Sequence, residues 1–320
     1  MSETSTKACV CAGIDVGKAS LAYALAGGGG SLRCANTPEG RARMIAFLAS
    51  REVRRVGMES TGAYHFEAAE ELRAAGFEVV VLQPMQVNAY AKFKLKRAKS
   101  DPIDAQLIAQ CTAAVDAPRA APDPRLAGLA EHLTMIEQIE DEIARAKVRR
   151  ERYRDPRLKG LIEDDIKQKT ALRRRELRLL VEAVRAHKDL ARKLDLLQSI
   201  QGVGERTALA LVVRMPELGA LSREEAASLL GVAPFDHDSG RYKGQRRIGG
   251  GRARPRTSLF AAAQAAARRW NPALVALYDR LVAAGKSHTV AIVACVRKLI
   301  IYANTVLAQD RPWKITQGHI

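Results

Sequence analysis

Cys9-Val10-Cys11-Ala12-Gly13-Ile14-Asp15-Val16-Gly17 is an apolar run rich in β-branched residues that ends in a glycine-flanked acid. Its length and composition predict a buried strand carrying a single carboxylate. Around it the chain alternates strand and helix signals. Residues 20–26 read as a second strand, and the glycines of 27–30 turn the chain into a short third strand at 31–35. Helical spacing over 39–50 (Met44, Ile45, Leu48) follows a cap at Asn36 or Thr37, with Pro38 in the first turn. A fourth strand at 53–58 ends in Glu59, a helix over 64–75 closes at Gly76, and 77–82 is a fifth strand. Helical patterns follow at 85–93 and 102–114. The order β-β-β-α-β-α-β-α predicts a three-strand meander extended by crossover units. That is the strand order of an RNase H-like or RuvC-like domain.

In such a sheet the first and fourth strands are neighbours, so Asp15 and Glu59 converge on one edge. Asp101 and Asp104 open a late helix. Four carboxylates share a site only when cations neutralise them. Two Mg²⁺ (or Mn²⁺) ions roughly 3.5–4 Å apart would do so and would suit phosphodiester chemistry. Each acid has a plainer reading: Asp101 as an N-cap before Pro102 with Asp104 at N3, Asp15 as a strand-end turn residue, Glu59 as a surface acid. An acid on an apolar strand is nonetheless uncommon without a partner.

Composition points to the class of partner. Of the 320 residues, 52 are Lys or Arg and 35 Asp or Glu, a net charge of +17, which implies a polyanion, with nucleic acid the default. No uninterrupted apolar span suggests a bilayer crossing, and Met1-Ser2-Glu3-Thr4 lacks the blocks of a secretory signal. Five scattered cysteines, Cys9, Cys11, Cys34, Cys111 and Cys295, read as reduced thiols of a cytoplasmic protein with no zinc site. Aromatic residues are 5% of the chain, so contacts to phosphates should outweigh stacking. Lys92, Lys94, Lys96, Arg97 and Lys99 just before Asp101 read as a phosphate guide or as a solvated face.

A proline-punctuated linker at 117–124 separates an expected domain 1–122 from a charged helical arm, 123–198. Leu129, Leu133, Ile136, Ile139 and Ile143 form one apolar stripe; after a break at 155–160 a second long helical stretch runs to about 197. Such polar helices must bury their stripes elsewhere, in a coiled-coil dimer or in a helical hairpin within the chain. From 199 to 320 a third, mostly helical domain is expected. It begins with Ile200-Gln201-Gly202-Val203-Gly204 between helices, the pattern of a helix-hairpin-helix element or of a plain turn. Gly202 and Gly204 would expose backbone N–H groups to a phosphate. Next come Asp238-Ser239-Gly240 and a glycine-spaced basic run, Arg241, Lys243, Arg246, Arg247, Arg252, Arg254 and Arg256, suited to a phosphate backbone. A hydroxyl inside such a loop is either a turn residue or a nucleophile aimed at a phosphodiester.

Taken in order, Gly13-Ile14-Asp15-Val16-Gly17-Lys18, Glu59-Ser60-Thr61-Gly62, Ser100-Asp101-Pro102-Ile103-Asp104-Ala105, the Gly-Val-Gly hairpin and Asp238-Ser239-Gly240 resemble the DEDD insertion-sequence transposases, the bridge-RNA-guided serine recombinases. The resemblance implies that Asp15, Glu59, Asp101 and Asp104 are a metal-binding tetrad and that Ser239 takes DNA as a phosphoserine. It also implies a structured guide RNA, donor and target DNA, and a dimer of dimers whose protomers share active sites. Gln201 stands where many relatives carry proline, a departure that loosens a turn and leaves the chemistry untouched. Two other readings remain open at this stage: a RuvC-like nuclease using metal-activated water, and a non-catalytic nucleic-acid-binding protein.

Overall fold

The computed structural model describes residues 10–28, 30–60, 64–95, 101–116, 123–235 and 247–314, with the side chains of 101–103 outside that description. The chain divides into two compact units, 1–122 and 123–320.

The first unit is built on a five-stranded sheet. Strands β1 (Cys11–Val16), β2 (Ser20–Leu25) and β3 (Ser31–Ala35) form an antiparallel meander, and β4 (Arg55–Glu59) and β5 (Glu78–Leu82) continue it in parallel. The sheet order is β3-β2-β1-β4-β5, so β1 and β4 are adjacent, consistent with the RNase H-like order. Alternation of side chains divides the sheet into two faces. Ala12, Ile14, Val16, Val56 and Met58 point to one side, where they pack with Met44 and Leu48 of α1 (Pro38–Ser50) and Ala69 and Leu72 of α2 (His65–Ala74). Thr37, not Asn36, caps α1 by accepting from the Gly40 N–H at 3.2 Å, with Pro38 at the first helical position. The opposite face carries Ala22, Ala24, Val80 and Leu82 and is covered by α3 (Pro84–Phe93) and α4 (Asp101–Ala113).

The second unit is helical apart from one two-residue ladder, Pro234–Phe235 with Arg247–Ile248. Helices α5 (Arg125–Arg152) and α6 (Pro156–Arg185) run antiparallel within the chain. Their ion pairs show it by running in opposite order along the two helices: Arg150–Glu163, Lys169–Glu142, Arg173–Glu140 and His132–Glu176. The sequence pattern predicts unbroken helix to about 197, but the helix stops at Arg185 and α7 (Lys188–Gln198) restarts after it. The break has a geometric cause. Leu180 and Val184 enter the same core as Leu190 and Leu194. In a continuous helix a six-residue step from 184 to 190 would rotate the stripe by about 240°, whereas a break realigns it. Arg125 fixes the restart: its guanidinium donates to both Asp189 oxygens at 2.9 and 2.8 Å and holds that carboxyl down to about 2.

One continuous core joins the roots of α5 and α6 to α8 (Glu205–Arg214), α9 (Arg223–Leu230), α10 (Ala253–Ala265), α11 (Pro272–Ala283) and α12 (His288–Gln309). By length and composition α12 could cross a bilayer, a feature that the sequence reading passes over. Here it is the central core helix, burying Ile292, Cys295, Val296, Leu299, Ile300, Ala303 and Val306. It is also tied by a buried polar bridge: Asn304 Nδ2 donates to the Leu221 carbonyl at 2.7 Å and its Oδ1 accepts from the Gly219 N–H at 2.8 Å. Asn304→Leu strands both backbone groups in an apolar setting. The expected loss is about 2–3 kcal/mol, measurable by urea denaturation, with Asn304→Asp retaining part of the bridge.

Candidate active site

Two mid-strand glycines place the acids of the first unit. Gly13 on β1 is the register partner of Gly57 on β4. Both lie against α4 so closely that side chains are excluded. A Cβ at Gly13 would overlap the Ala109 amide and the Ala105 carbonyl, and one at Gly57 would overlap Thr112 Oγ1. A glycine inside a strand marks such a close approach. Asp15 and Glu59 each lie two residues beyond a member of this pair. The two-residue period therefore sets both carboxylates on the α4 face, on adjacent parallel strands, at matching height.

The first turns of α4 lie beside them. Ala105 packs on Ala22 and Ala24, and Ala22 is the register partner of Asp15. Asp101 is the first residue of α4, its side chain outside the description, and Asp104 sits half-buried one turn on. Asp15 and Glu59 are also half-buried. These donors are all carboxylate oxygens, the set that suits a hard divalent cation such as Mg²⁺ or Mn²⁺. Among the described residues, no three His, Cys, Asp or Glu side chains yet close into ligand geometry.

In the second unit several predicted nucleic-acid contacts have partners inside the protein. Arg252 donates to both Glu217 oxygens at 2.7 and 2.6 Å and to the Arg214 carbonyl at 2.7 Å. Arg256 donates to the carbonyls of Leu230 and Gly250 at 3.1 and 2.6 Å. Arg254, half exposed, donates to Thr134 Oγ1 and Glu137 at 2.8 and 2.9 Å. Arg247 is exposed on the short ladder, and Lys94 lies over the rings of Tyr90 and Phe93 at 5.6 and 5.9 Å. Lys96, Arg97, Ser239, Arg241, Lys243 and Arg246 lie outside the described residues.

The sequence reading missed two further arginines. Arg206 and Arg214 of α8 converge with Arg254 on Glu137 at 3.3, 2.8 and 2.9 Å, and Arg206 also reaches Glu140 at 3.0 Å. Burial pushes the Arg214 guanidinium down from its ordinary pKa. No local pattern signals this cluster, because its acids and bases lie on α5, α8 and α10. Gly202, at φ +95°, and Gly204, at the N-terminus of α8 with no side-chain cap, occupy the turn between α7 and α8. Among the described residues Cys34, Cys111 and Cys295 are free thiols, and burial raises the Cys295 thiol to about 11.

Comparison with known proteins agrees with this arrangement. A family model described as a transposase, of the DEDD type, matches residues 12–153, and one described as "Transposase IS116/IS110/IS902 family" matches residues 194–279. The pilin gene-inverting proteins of Moraxella lacunata and Moraxella bovis are each 27% identical over 263 residues, covering 80% of this chain and 80% of theirs. Two models of one family, in order, span the acid-bearing sheet and the glycine hairpin. The chain therefore belongs to the IS116/IS110/IS902 family of DEDD transposases and is a DNA transposase or recombinase.

Proposed function

We propose that this transposase cuts and rejoins DNA through a covalent phosphoserine at Ser239. The observation that carries the reading is the Gly13–Gly57 pair, which sets Asp15 and Glu59 side by side under the start of α4. In the cleavage step the Ser239 oxygen forms a bond to phosphorus, the bond from phosphorus to the leaving deoxyribose oxygen breaks, and that oxygen takes up a proton. Rejoining is the reverse attack by a deoxyribose hydroxyl on the phosphoserine. The ester conserves bond energy, so no nucleotide cofactor is needed. Asp15, Glu59, Asp101 and Asp104 would hold Mg²⁺ or Mn²⁺, whose chemistry is to neutralise charge on the attacking and leaving oxygens. The relatives that invert a pilin gene support the cut-and-rejoin reading, since inversion needs both steps.

Lys94, Lys96 and Arg97, the 241–256 basic run and the Gly202–Gly204 turn, read as a helix-hairpin-helix, position phosphates without reading bases. Arg252 and Arg256 act there by bracing the loop from inside, given their internal partners. We read 1–122 as the metal-binding domain, 123–198 as the arm and 199–320 as the domain that carries the nucleophile. Exposed Met135 and Val148 on α5 and Leu161 and Leu179 on α6 support a second role for the hairpin, as a coiled-coil contact in a dimer that assembles to a tetramer. The resemblance adds a guide RNA that selects donor and target DNA.

Mn²⁺ binding followed by electron paramagnetic resonance tests the carrying observation. Asp15→Asn and Glu59→Gln should each weaken affinity by at least the roughly 10- to 100-fold that loss of an outer-shell partner costs, with unchanged circular dichroism. Wild-type affinity in either variant would separate the two acids and remove the proposal's foundation.

A further inference from the structure

Trp270, one of two tryptophans in the chain, stands 60% exposed on a strongly basic protein. Helix α10 ends there in a widened turn, Ala266–Trp270, in which the Asn271 N–H donates to the Ala266 carbonyl five residues back at 3.0 Å. Such turns insert a residue and re-aim the side chains that follow, often at functional sites. Here Ala266 and Ala267 stay buried while Arg268, Arg269 and Trp270 are all exposed. The Arg269 guanidinium lies 5.7 Å from the centre of the indole ring, and no carboxylate among the described residues pairs with Arg268 or Arg269.

This turn is locked to the glycine hairpin. Buried Asn271 donates from Nδ2 to the Gln201 carbonyl at 3.2 Å and accepts at Oδ1 from the Leu274 N–H at 3.2 Å. Gly202 approaches Ala266 so closely that a Cβ would overlap the alanine methyl. At Gly204 the space beside α8 is open. An indole face, two guanidiniums with no carboxylate partner among the described residues and the open space at Gly204 are thus presented together on a rigid mount.

We infer that Arg268, Arg269 and Trp270, beside the Gly202–Gly204 turn, bind an unpaired stretch of nucleic acid, with a base stacked on the indole and phosphates on the guanidiniums. Stacking on an exposed ring accepts any base, and a stretch already out of its duplex incurs no unstacking cost. The site deepens the proposed reading by naming the state of the strand, which can come from displaced DNA or from RNA.

Trp313 packs on Tyr302 at a ring distance of 4.0 Å, so a Trp313→Phe protein keeps Trp270 as its only indole emitter. Titration with a fifteen-nucleotide oligo-dT or oligo-U should quench that emission saturably, and a duplex of equal length should bind more weakly with little quenching. The tighter of the two strands names the source. In the otherwise wild-type protein, Trp270→Ala should weaken single-strand binding by about 5- to 100-fold, while Trp270→Phe keeps most of it. Replacing both Arg268 and Arg269 by alanine should lower the slope of log affinity against log salt by about 1.4. Strand binding without quenching, equal quenching by duplex, or wild-type affinity in Trp270→Ala would overturn the assignment. So would a Trp270→Ala protein that binds strands normally but loses self-association, since the ring would then be a protein contact. The titration is repeated on Ser239→Ala protein. The indole must respond whether or not the strand is cut, which separates failure of stacking from failure of the cleavage reading.

Discussion

Replacing Ser239 by alanine is expected to abolish both strand cleavage and the covalent protein–DNA adduct, with the cleavage rate falling by on the order of 10⁶-fold, the scale on which loss of a nucleophile acts. The reason is chemical and not structural. No positioned carboxylate or arginine can substitute for the atom that bonds to phosphorus, so what survives is the slow attack of bulk water. The measurement is denaturing electrophoresis of the protein with end-labelled DNA in Mg²⁺. Wild type should give a retarded, protease-sensitive band that Ser239→Ala lacks. Asp15→Asn should lack it too, yet with Ser239 intact and DNA binding retained, because the carboxylates act on the same step. A nuclease that activates water makes the opposite prediction: Ser239→Ala would cut at the wild-type rate and no variant would give an adduct. That single comparison distinguishes a recombinase that keeps the phosphodiester energy from a hydrolase that discards it.

How far the sequence alone reaches differs between the two units. In the first, strand order and the faces of the sheet follow from local signals. Val56 and Met58 alternate with Gly57, and some helices come with their own start, such as Thr37-Pro38 or Gln83-Pro84. What escapes a linear reading is the reason Asp15 and Glu59 share a face: it lies in the pairing of Gly13 with Gly57, forty-four positions apart, and a helix that arrives later still. The second unit is less legible. The stripe from Leu129 to Ile143 is visible, but the break after Arg185 depends on a core assembled from eight helices, and the guanidinium cluster on Glu137 draws on three of them. The basic run illustrates the same limit. Read linearly, Arg252, Arg254 and Arg256 are equivalent phosphate ligands. In the fold each has a carboxylate or carbonyl partner that lies far off or out of sight in the sequence. Trp270 is the converse, an ordinary residue at an expected helix end until the widened turn exposes it.

Gly13→Val is expected to unfold the first unit, or to expel α4 from it, with a loss above about 4 kcal/mol out of a total of roughly 5–15 kcal/mol for a typical domain. Ordinary overpacking costs about 1–3 kcal/mol because neighbouring side chains move aside. At Gly13 the neighbours are the Ala105 carbonyl and the Ala109 amide and Cα, backbone atoms of a helix that cannot rotate away. Relief therefore requires the whole helix to lift, and with it Asp101 and Asp104 leave the acids on β1 and β4. Gly57 faces the Thr112 side chain instead, with its Oγ1 bonded to the Ile108 carbonyl at 2.7 Å. Gly57→Ala should therefore be damaging but partly repaired by a second change, Thr112→Ala, whereas no side-chain replacement on α4 should repair Gly13→Val. Gly128, with open space around it in α5, serves as the control: Gly128→Ala should stabilise by about 0.5–1 kcal/mol. Denaturant unfolding measures these losses, and Mn²⁺ affinity tests the proposed metal site. A Gly13→Val protein with wild-type stability and wild-type metal affinity would mean that α4 does not lie on β1, and the geometry that brings the carboxylates together would go with it.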